Sequence, residues 1–433
     1  MKKITALLIA ALLALSLCGC EQIEQLKQIE LPTPSVEPSE TPESTPEASE
    51  EPEATPEPTP EAAEPSSYVT ISIGEHKETY YAPDDENQMI LDFSYETPTV
   101  HIYGNDAASE KINDFIAAMD EEYYTGSNYA EGGYGVGING MLDMAYDNLS
   151  YVRDNNIEAN LTLASNRTVL VARADEKLIS LLYNDYSYTG GVHGIYGYTG
   201  YIFDTETGEQ LTLDKLAPDL DAFKTWLTAA MVEKVNSDDE LKQSLTVDDV
   251  ETALAALIRE GSWYLDDEGL TVFSSVNEIA PYAAGVINFK FSYDEIAPYI
   301  DSKWLPAART GSGELEVLAL DALPEGTEII DKVTVDSGET QLCIKVSGAV
   351  CNVSVCSVEY ADFDSRFYTT GEHWYCSYMK DSAIQLETMI PDGIPNLMVS
   401  YTDADGVNHS KLVSQSGMDG SFLLIDDNIE VLG

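Results

Sequence analysis

Asp185-Tyr186-Ser187-Tyr188-Thr189-Gly190-Gly191-Val192-His193-Gly194, followed by Tyr196-Gly197-Tyr198-Thr199-Gly200-Tyr201-Ile202-Phe203-Asp204, is the stretch that decides the fold. Two aromatic runs with strand character flank a glycine pair. Gly190-Gly191 supplies the positive φ of a tight turn or bulge. Side chains alternate along a strand, so Tyr186 and Tyr188 share a face, as do Tyr196 and Tyr198. Tyr186, Tyr188, Gly190, Gly191, His193, Tyr196 and Tyr198 form the candidate partner-binding set. Tyrosines are rigid and amphipathic, and their faces suit Arg, Lys or a sugar ring. The competing reading makes them half-buried sheet residues with hydroxyls in water. His193 is expected to hydrogen-bond the glycine turn rather than act as a catalyst or ligand, since no second ligand stands at metal spacing.

The range around this stretch, 185–304, reads as a mixed domain. After the turn Thr207-Gly208 come helices over Asp221–Val235 and Val247–Arg259, the second capped by Thr246. Within Ile279–Gly285, Pro281-Tyr282 is expected to be a packed corner rather than a site, and Val286–Phe291 is a last strand. Residues 67–184 read as a second α+β domain. Tyr68–Ile73 and Lys77–Tyr81 suggest a hairpin about Gly74-Glu75, and Met89–Tyr95 and Thr99–Tyr103 suggest two strands across Thr97-Pro98. A helix follows, capped by Asn105 or Asp106, with Ile112, Phe115, Ile116 and Met119 on one stripe. Gly132–Gly137 reads as a loop. Ile157–Leu163, Thr168–Ala172 and Lys177–Tyr183 read as strands. The fold class is therefore α+β, with helices and antiparallel sheet segregated.

Residues 305–433 open on the linker Arg309–Gly313 and continue as nine short strands from Leu315 to Ile425, which suggests a β-sandwich. Cys343, Cys351, Cys356 and Cys376 lie here. Outside the cell an even set reads as disulfides, with buried thiols as the alternative and zinc disfavoured by loose spacing. Asp403-Ala404-Asp405-Gly406 resembles part of a calcium loop, but Tyr401 stands at the first ligand position and no closing Glu follows. A hairpin turn is the better reading.

The first 66 residues are of another kind. Met1-Lys2-Lys3 is a basic start and Ile4–Leu17 an apolar run of signal-peptide length. Leu17-Cys18-Gly19-Cys20 looks like a lipobox. Residues 1–19 are thus expected to be a lipoprotein signal peptide, with Cys20 carrying diacylglycerol to the membrane. Residues 20–66 repeat Pro, Glu, Thr and Ser and are expected to form a disordered stalk. Extended, its proline-rich part reaches on the order of 100 Å.

Charge narrows the partners. The chain carries 22 Lys and Arg against 76 Asp and Glu, a net charge of −54. Such a surface repels nucleic acid, whose binding rests on basic contacts to phosphate, and favours a basic protein, a basic peptide or metal ions.

Tyr188-Thr189-Gly190-Gly191-Val192-His193-Gly194, Phe203-Asp204 with Thr207-Gly208, and Ala280-Pro281-Tyr282-Ala283-Ala284-Gly285 together resemble the signature of RsiV-type extracytoplasmic domains. The range through Tyr183 resembles the companion domain of the PdaC-type peptidoglycan deacetylases. The resemblance spans roughly Tyr68 to Trp304. It implies the exposed binding part of lysozyme-sensing anti-sigma factors and of some cell-wall deacetylases. Only Met1-Lys2-Lys3 stand before the apolar run, so no segment for holding a sigma factor is expected. The five histidines are scattered and form no deacetylase metal motif.

The resulting expectation is a cell-surface lipoprotein, exposed to the cell wall and not an enzyme, that binds a basic extracellular protein such as lysozyme. It needs no cofactor. A peptidoglycan- or carbohydrate-binding module is the alternative. A hydrolase using His193 with Asp185 or Asp204 ranks last.

Overall fold

The computed structural model describes residues 65, 67–126, 137–157, 162–306, 312–361, 365–391, 393–403, 406–426 and 429–430. Cys20, the expected signal peptide and stalk (apart from Pro65), the glycine-rich run through Val136 and the linker residues 309–311 lie outside them. All described residues fall in one unit, Pro60–Gly433. The fold is α+β, with strand exceeding helix, 46% to 26%. No helix among the described residues is long and apolar enough to cross a membrane.

The first two strands, β1 (Val69–Ala82) and β2 (Asp85–Ile102), form one long hairpin, paired from Val69↔Ile102 to Ala82↔Asp85. The chain does not turn at Gly74-Glu75 or at Thr97-Pro98. Pro98 is tolerated because its alternation faces away from β1. The neighbouring N–H groups of that alternation, at Val100 and Ile102, donate instead to Asn113 Oδ1 and Ser109 Oγ. A proline there removes no ladder bond. Helix α1 (Asp106–Thr125) supplies those acceptors; Asn105 caps it by accepting from the Ala108 N–H. A second helix, α2 (Ile138–Asp154), follows, which the sequence reading did not anticipate.

Strand β3 (Leu163–Ala174) pairs parallel to β2 over Leu91↔Leu163 to Tyr95↔Arg167, then leaves it. Strands β4 (Leu178–Tyr188) and β5 (Ile195–Asp204) complete this wing antiparallel to one another. Beyond β5 lie helices α3 (Leu220–Ser237) and α4 (Val250–Leu257) and a small sheet of β6 (Trp263–Leu265), β7 (Gly269–Phe273) and β8 (Asn288–Ser292). Asp249, not Thr246, caps α4, accepting from the Thr252 N–H at 3.1 Å.

The C-terminal third is a two-layer β structure. Strands β9 (Glu314–Ala319), β10 (Glu328–Thr334), β11 (Thr340–Ser347) and β14 (Ser382–Thr388) make a four-stranded sheet. It packs on β12 (Ala349–Ala361), β13 (Arg366–Lys380), β15 (Leu397–Thr402), β16 (Asn408–Gln415) and β17 (Phe422–Ile425). Leu342, Ile344 and Ile384 meet Val353, Val355 and Trp374 in that core. A short β18 (Ile429–Glu430) pairs with β13. This second layer is not separate from the rest. β13 pairs with β1 over Thr70↔Cys376 to Ser72↔Trp374, giving an 11-stranded sheet that joins all three folded ranges. The chain also crosses the 184/185 boundary within β4.

The four cysteines do not form the expected disulfides. Cys343, Cys351, Cys356 and Cys376 are buried thiols, none bridged to another. No two stand opposite each other: Cys343 faces Gln385, Cys351 faces Tyr378, Cys356 faces Glu372, and Cys376 faces Val353 and Thr70. Cys351 and Cys376 are only diagonal neighbours, about 7–8 Å apart in sheet geometry and beyond a relaxed disulfide. β15 and β16 pair antiparallel, and between them Asp403 accepts from the Val407 N–H. Ala404 and Asp405 lie outside the described residues.

Candidate binding face on the β4–β5 hairpin

Three features converge on the β4–β5 hairpin: its tip, an aromatic groove beside it, and a cavity at its flank. The tip, residues 189–194, joins strands paired from Leu178↔Asp204 to Ser187↔Ile195. Gly190 and Gly191 have φ of +103° and +108°, so the predicted positive-φ turn is present. Tyr188 Oη donates to Gly191 O at 2.9 Å, closing the loop on itself. His193 Nδ1 donates to the O of its chain neighbour Gly194 at 2.9 Å.

The buttress comes from far along the chain. Tyr282 donates to Gly194 O at 2.7 Å and stacks its ring on His193, with centroids 3.9 Å apart. Tyr282 belongs to Ala280–Gly285, which the sequence reading placed as a packed corner. It is part of the tip. Tyr186 packs beneath: a Cβ on Gly194 would come within 2.4–2.5 Å of its ring. The Tyr188 and Tyr282 hydroxyls are thus spent inside the tip, Tyr186 stays 38% exposed, and Val192 projects furthest, 97% exposed.

Along the same face Tyr186 stands opposite Tyr196, and Asn184 opposite Tyr198. Tyr196 and Tyr198 meet edge to face at 6.3 Å, and Tyr198 meets Phe273 at 6.2 Å. Together with Tyr264, Leu182 and Gly285 they line a groove of about 280 Å³. Five tyrosines of the candidate set and its neighbours therefore divide into two groups. Tyr186, Tyr188 and Tyr282 shape the tip; Tyr196 and Tyr198 wall the groove.

The third feature has no counterpart in the sequence reading. Where β3 parts from β2, and β13 from β1, the N–H groups of β3 lose their ladder partner. Two glutamates take them: Glu96 Oε2 accepts from Val169 N–H at 2.7 Å, and Glu372 Oε2 from Val171 N–H at 3.0 Å. Between them opens a cavity of about 400 Å³, bounded also by Thr168, Asn184, Tyr198 and Cys356. It shares Leu182 and Tyr198 with the aromatic groove. Burial pushes the Glu96 carboxyl up to about 7, with neighbouring Glu75 adding to the rise. Burial, and then the charge of Glu96, push Glu372 up to about 8. The sequence signal was faint but present: Gly371-Glu372 lies inside an aromatic strand, and glycine in a strand marks a bulge. The ladder is irregular there, between Val355 and Cys356 and between Ser357 and Val358.

The acid partners considered for His193 are elsewhere. Asp185 forms a two-pronged ion pair with Arg167, at 2.6 and 3.3 Å, and the Arg167 guanidinium lies 4.0 Å over Tyr123. Asp204 sits at the opposite end of β5, accepting from the Glu206 N–H. Among the described residues no group of three or more His, Cys, Asp or Glu is placed to hold a metal ion.

These features define an α+β protein with a rigid aromatic hairpin beside a groove. Within it, residues 211–294 match the model of the family described as "Protein of unknown function (DUF3298)". The match takes in Ala280–Gly285, whereas Tyr188–Gly194 lies before it. Comparison with curated proteins finds no match. Among solved structures, a DUF3298 family member from Bacteroides fragilis is similar at 18% identity and TM-score 0.40, over 54% of this chain and 94% of that one. A DUF3298 family protein from Pseudomonas aeruginosa is similar at 14% identity and TM-score 0.37, over 55% and 98%.

Proposed function

We propose that this protein is a lipid-anchored, extracytoplasmic binding protein, held by Cys20, that captures a basic protein partner through its β4–β5 tip. Lysozyme is the partner implied by the RsiV-type resemblance. One observation carries the reading. The tip is fixed by Tyr188, His193 and Tyr282 yet leaves Val192 97% exposed, on a chain of net charge −54. A preorganised apolar projection loses little freedom on binding, and the acidic field speeds encounter with a cationic partner. The test is binding of the full chain to a lysozyme and to a control protein of equal positive charge, at low and moderate salt. Selective, salt-sensitive binding that Val192→Asp and Tyr282→Ala weaken at least tenfold is expected. Equal binding to both proteins, or binding indifferent to both substitutions, overturns it.

The groove of Tyr196, Tyr198, Tyr264 and Phe273 favours a second reading, stacking on a cell-wall glycan. Stacking does not depend on ionic strength as charge capture does. Salt-independent retention on peptidoglycan that Tyr198→Ala abolishes, without lysozyme binding, would put this reading first.

A further inference from the structure

The geometry points to the cavity between Glu96 and Glu372 as a binding site for an organic cation bearing N–H donors, a primary ammonium or a guanidinium. It stands apart from the hairpin tip and does not depend on what the tip binds. The lining is one-sided in its charge. Each glutamate commits Oε2 to a β3 amide, and both line this cavity as well as a neighbouring one of about 270 Å³. Asn184 lines the same space, and its Oδ1 is buried with no hydrogen-bond partner. Glu372 is itself only 7% exposed. Thr168, Thr369 and Thr370 line the space as well, but the two carboxyl groups once ionised only accept, so a ligand that meets them in that form must donate. Two carboxyl groups face the space and, among the described residues, no Lys, Arg or His lines it, so the ligand must also bring positive charge. Buried carboxylates without a counter-ion are costly, and a charged donor meeting both removes that cost. Tyr198 adds an aromatic wall to the cavity, of the kind cations favour. A volume of about 400 Å³ accommodates the end of a lysine or arginine side chain or a small free amine.

The surrounding titratable groups agree. Glu75 faces Glu96, and the Cys356 thiol lies against Glu372 and is held protonated by burial. His373, beyond Gly371, is kept toward its neutral form by burial and bonds Ser357 Oγ at 2.6 Å. None of these supplies a cation. Both glutamates hold protons near neutral pH, so a bound cation displaces them, and its affinity rises with pH toward 8 and then levels.

The test is calorimetric titration of the full chain with n-butylammonium, with an N-acetyl-lysine amide, and with a lysine-containing tripeptide. Norleucine amide with a capped N-terminus serves as the neutral control, and calcium as the inorganic one. Saturable binding of the cations with proton release, absent for the neutral control and lost about tenfold or more in Glu372→Gln and Glu96→Gln, is expected. The glutamine carbonyl still accepts the β3 amide, and a melting curve checks that each variant folds. Binding of the free amine and the capped lysine alike identifies a small-amine site; preference for the tripeptide identifies a side-chain pocket. Equal binding of the neutral control, preference for calcium, or cation binding unchanged in folded glutamine variants overturns the proposal. Val192→Asp leaves the titration unchanged, so this result and the tip result are read separately.

Discussion

At the scale of single residues, close backbone approach and buried charge decide most. Gly200 sits where β6 crosses the β4–β5 hairpin, and its N–H donates to Gly261 O at 2.9 Å. A Cβ there would lie 2.0 Å from the Trp263 carbonyl oxygen, a backbone atom that cannot swing aside. Gly200→Ala should therefore cost about 2–3 kcal/mol as β6 is pushed away, read as a lowered melting temperature. Arg173 is 1% exposed and bonds Asp175 through both Nε and Nη2, at 2.8 and 2.6 Å. Its Nη1 also donates to Tyr293 Oη and the Trp304 carbonyl. Arg173→Met leaves Asp175 buried without its counter-ion, at a cost of about 3–5 kcal/mol, measurable as a shift in the urea midpoint. Nothing in the local sequence announced Arg173, because its partners lie as far away as residue 304. Glu96 and Glu372 were hidden for the same reason.

Elements were legible where one face did one job. Helix α1 followed from its cap and stripe, with Ile112 and Ile116 buried as the spacing required. The β1–β2 hairpin misled because it uses both faces. Val69, Ile71, Val100 and Ile102 enter one core, while Leu91 and Phe93, on the opposite alternation, enter another with α2. An apolar pattern that changes phase reads as two short strands with a turn between them. Helix α2 is hard to read although its buried residues, Ile138, Met141, Ala145, Leu149 and Val152, recur at helical spacing, because Asn, Asp and Tyr between them favour helix weakly and a glycine-rich run stands before it. The β4–β5 tip was legible as a turn, but its Tyr282 buttress was not. Gly194→Ala tests that element. The added methyl displaces the Tyr186 ring and should weaken any tip-bound partner tenfold or more while the far-ultraviolet spectrum stays unchanged.

For the whole molecule, the joining of the C-terminal β layer to β1 was not readable, since strand pairing at a separation of about 300 residues leaves no local trace. That junction creates the two-glutamate split, and the split gives the fold a pH dependence. A raised carboxyl pKa means that the folded chain keeps a proton the unfolded chain has released. The stabilisation is complete below about 4.5, the ordinary value for Glu, and is lost as pH rises through about 7 for Glu96 and about 8 for Glu372. Asp267, raised to about 6 chiefly by burial, acts in the same direction over a lower window. The melting temperature should fall between pH 5 and 9, by roughly 5 °C or more. Glu372→Gln should flatten the upper part of that fall. A melting temperature that rises across this range would refute the account.

The place of β1 has a mechanical consequence. Thr70, Ile71 and Ser72 are paired on both sides, with β2 and with β13. A tension entering through the chain before Val69 pulls along the strand axis and loads both ladders in shear, so their bonds must fail together. The other end differs: among the described residues β18 is held by two residue pairs, Phe367↔Ile429 and Tyr368↔Glu430. Traction there peels. Pulled from its N-terminal side in an optical trap, the molecule should yield at a distinctly higher force than when pulled from its C-terminus. A protein tethered by its N-terminal segment would thus carry load along its strongest direction.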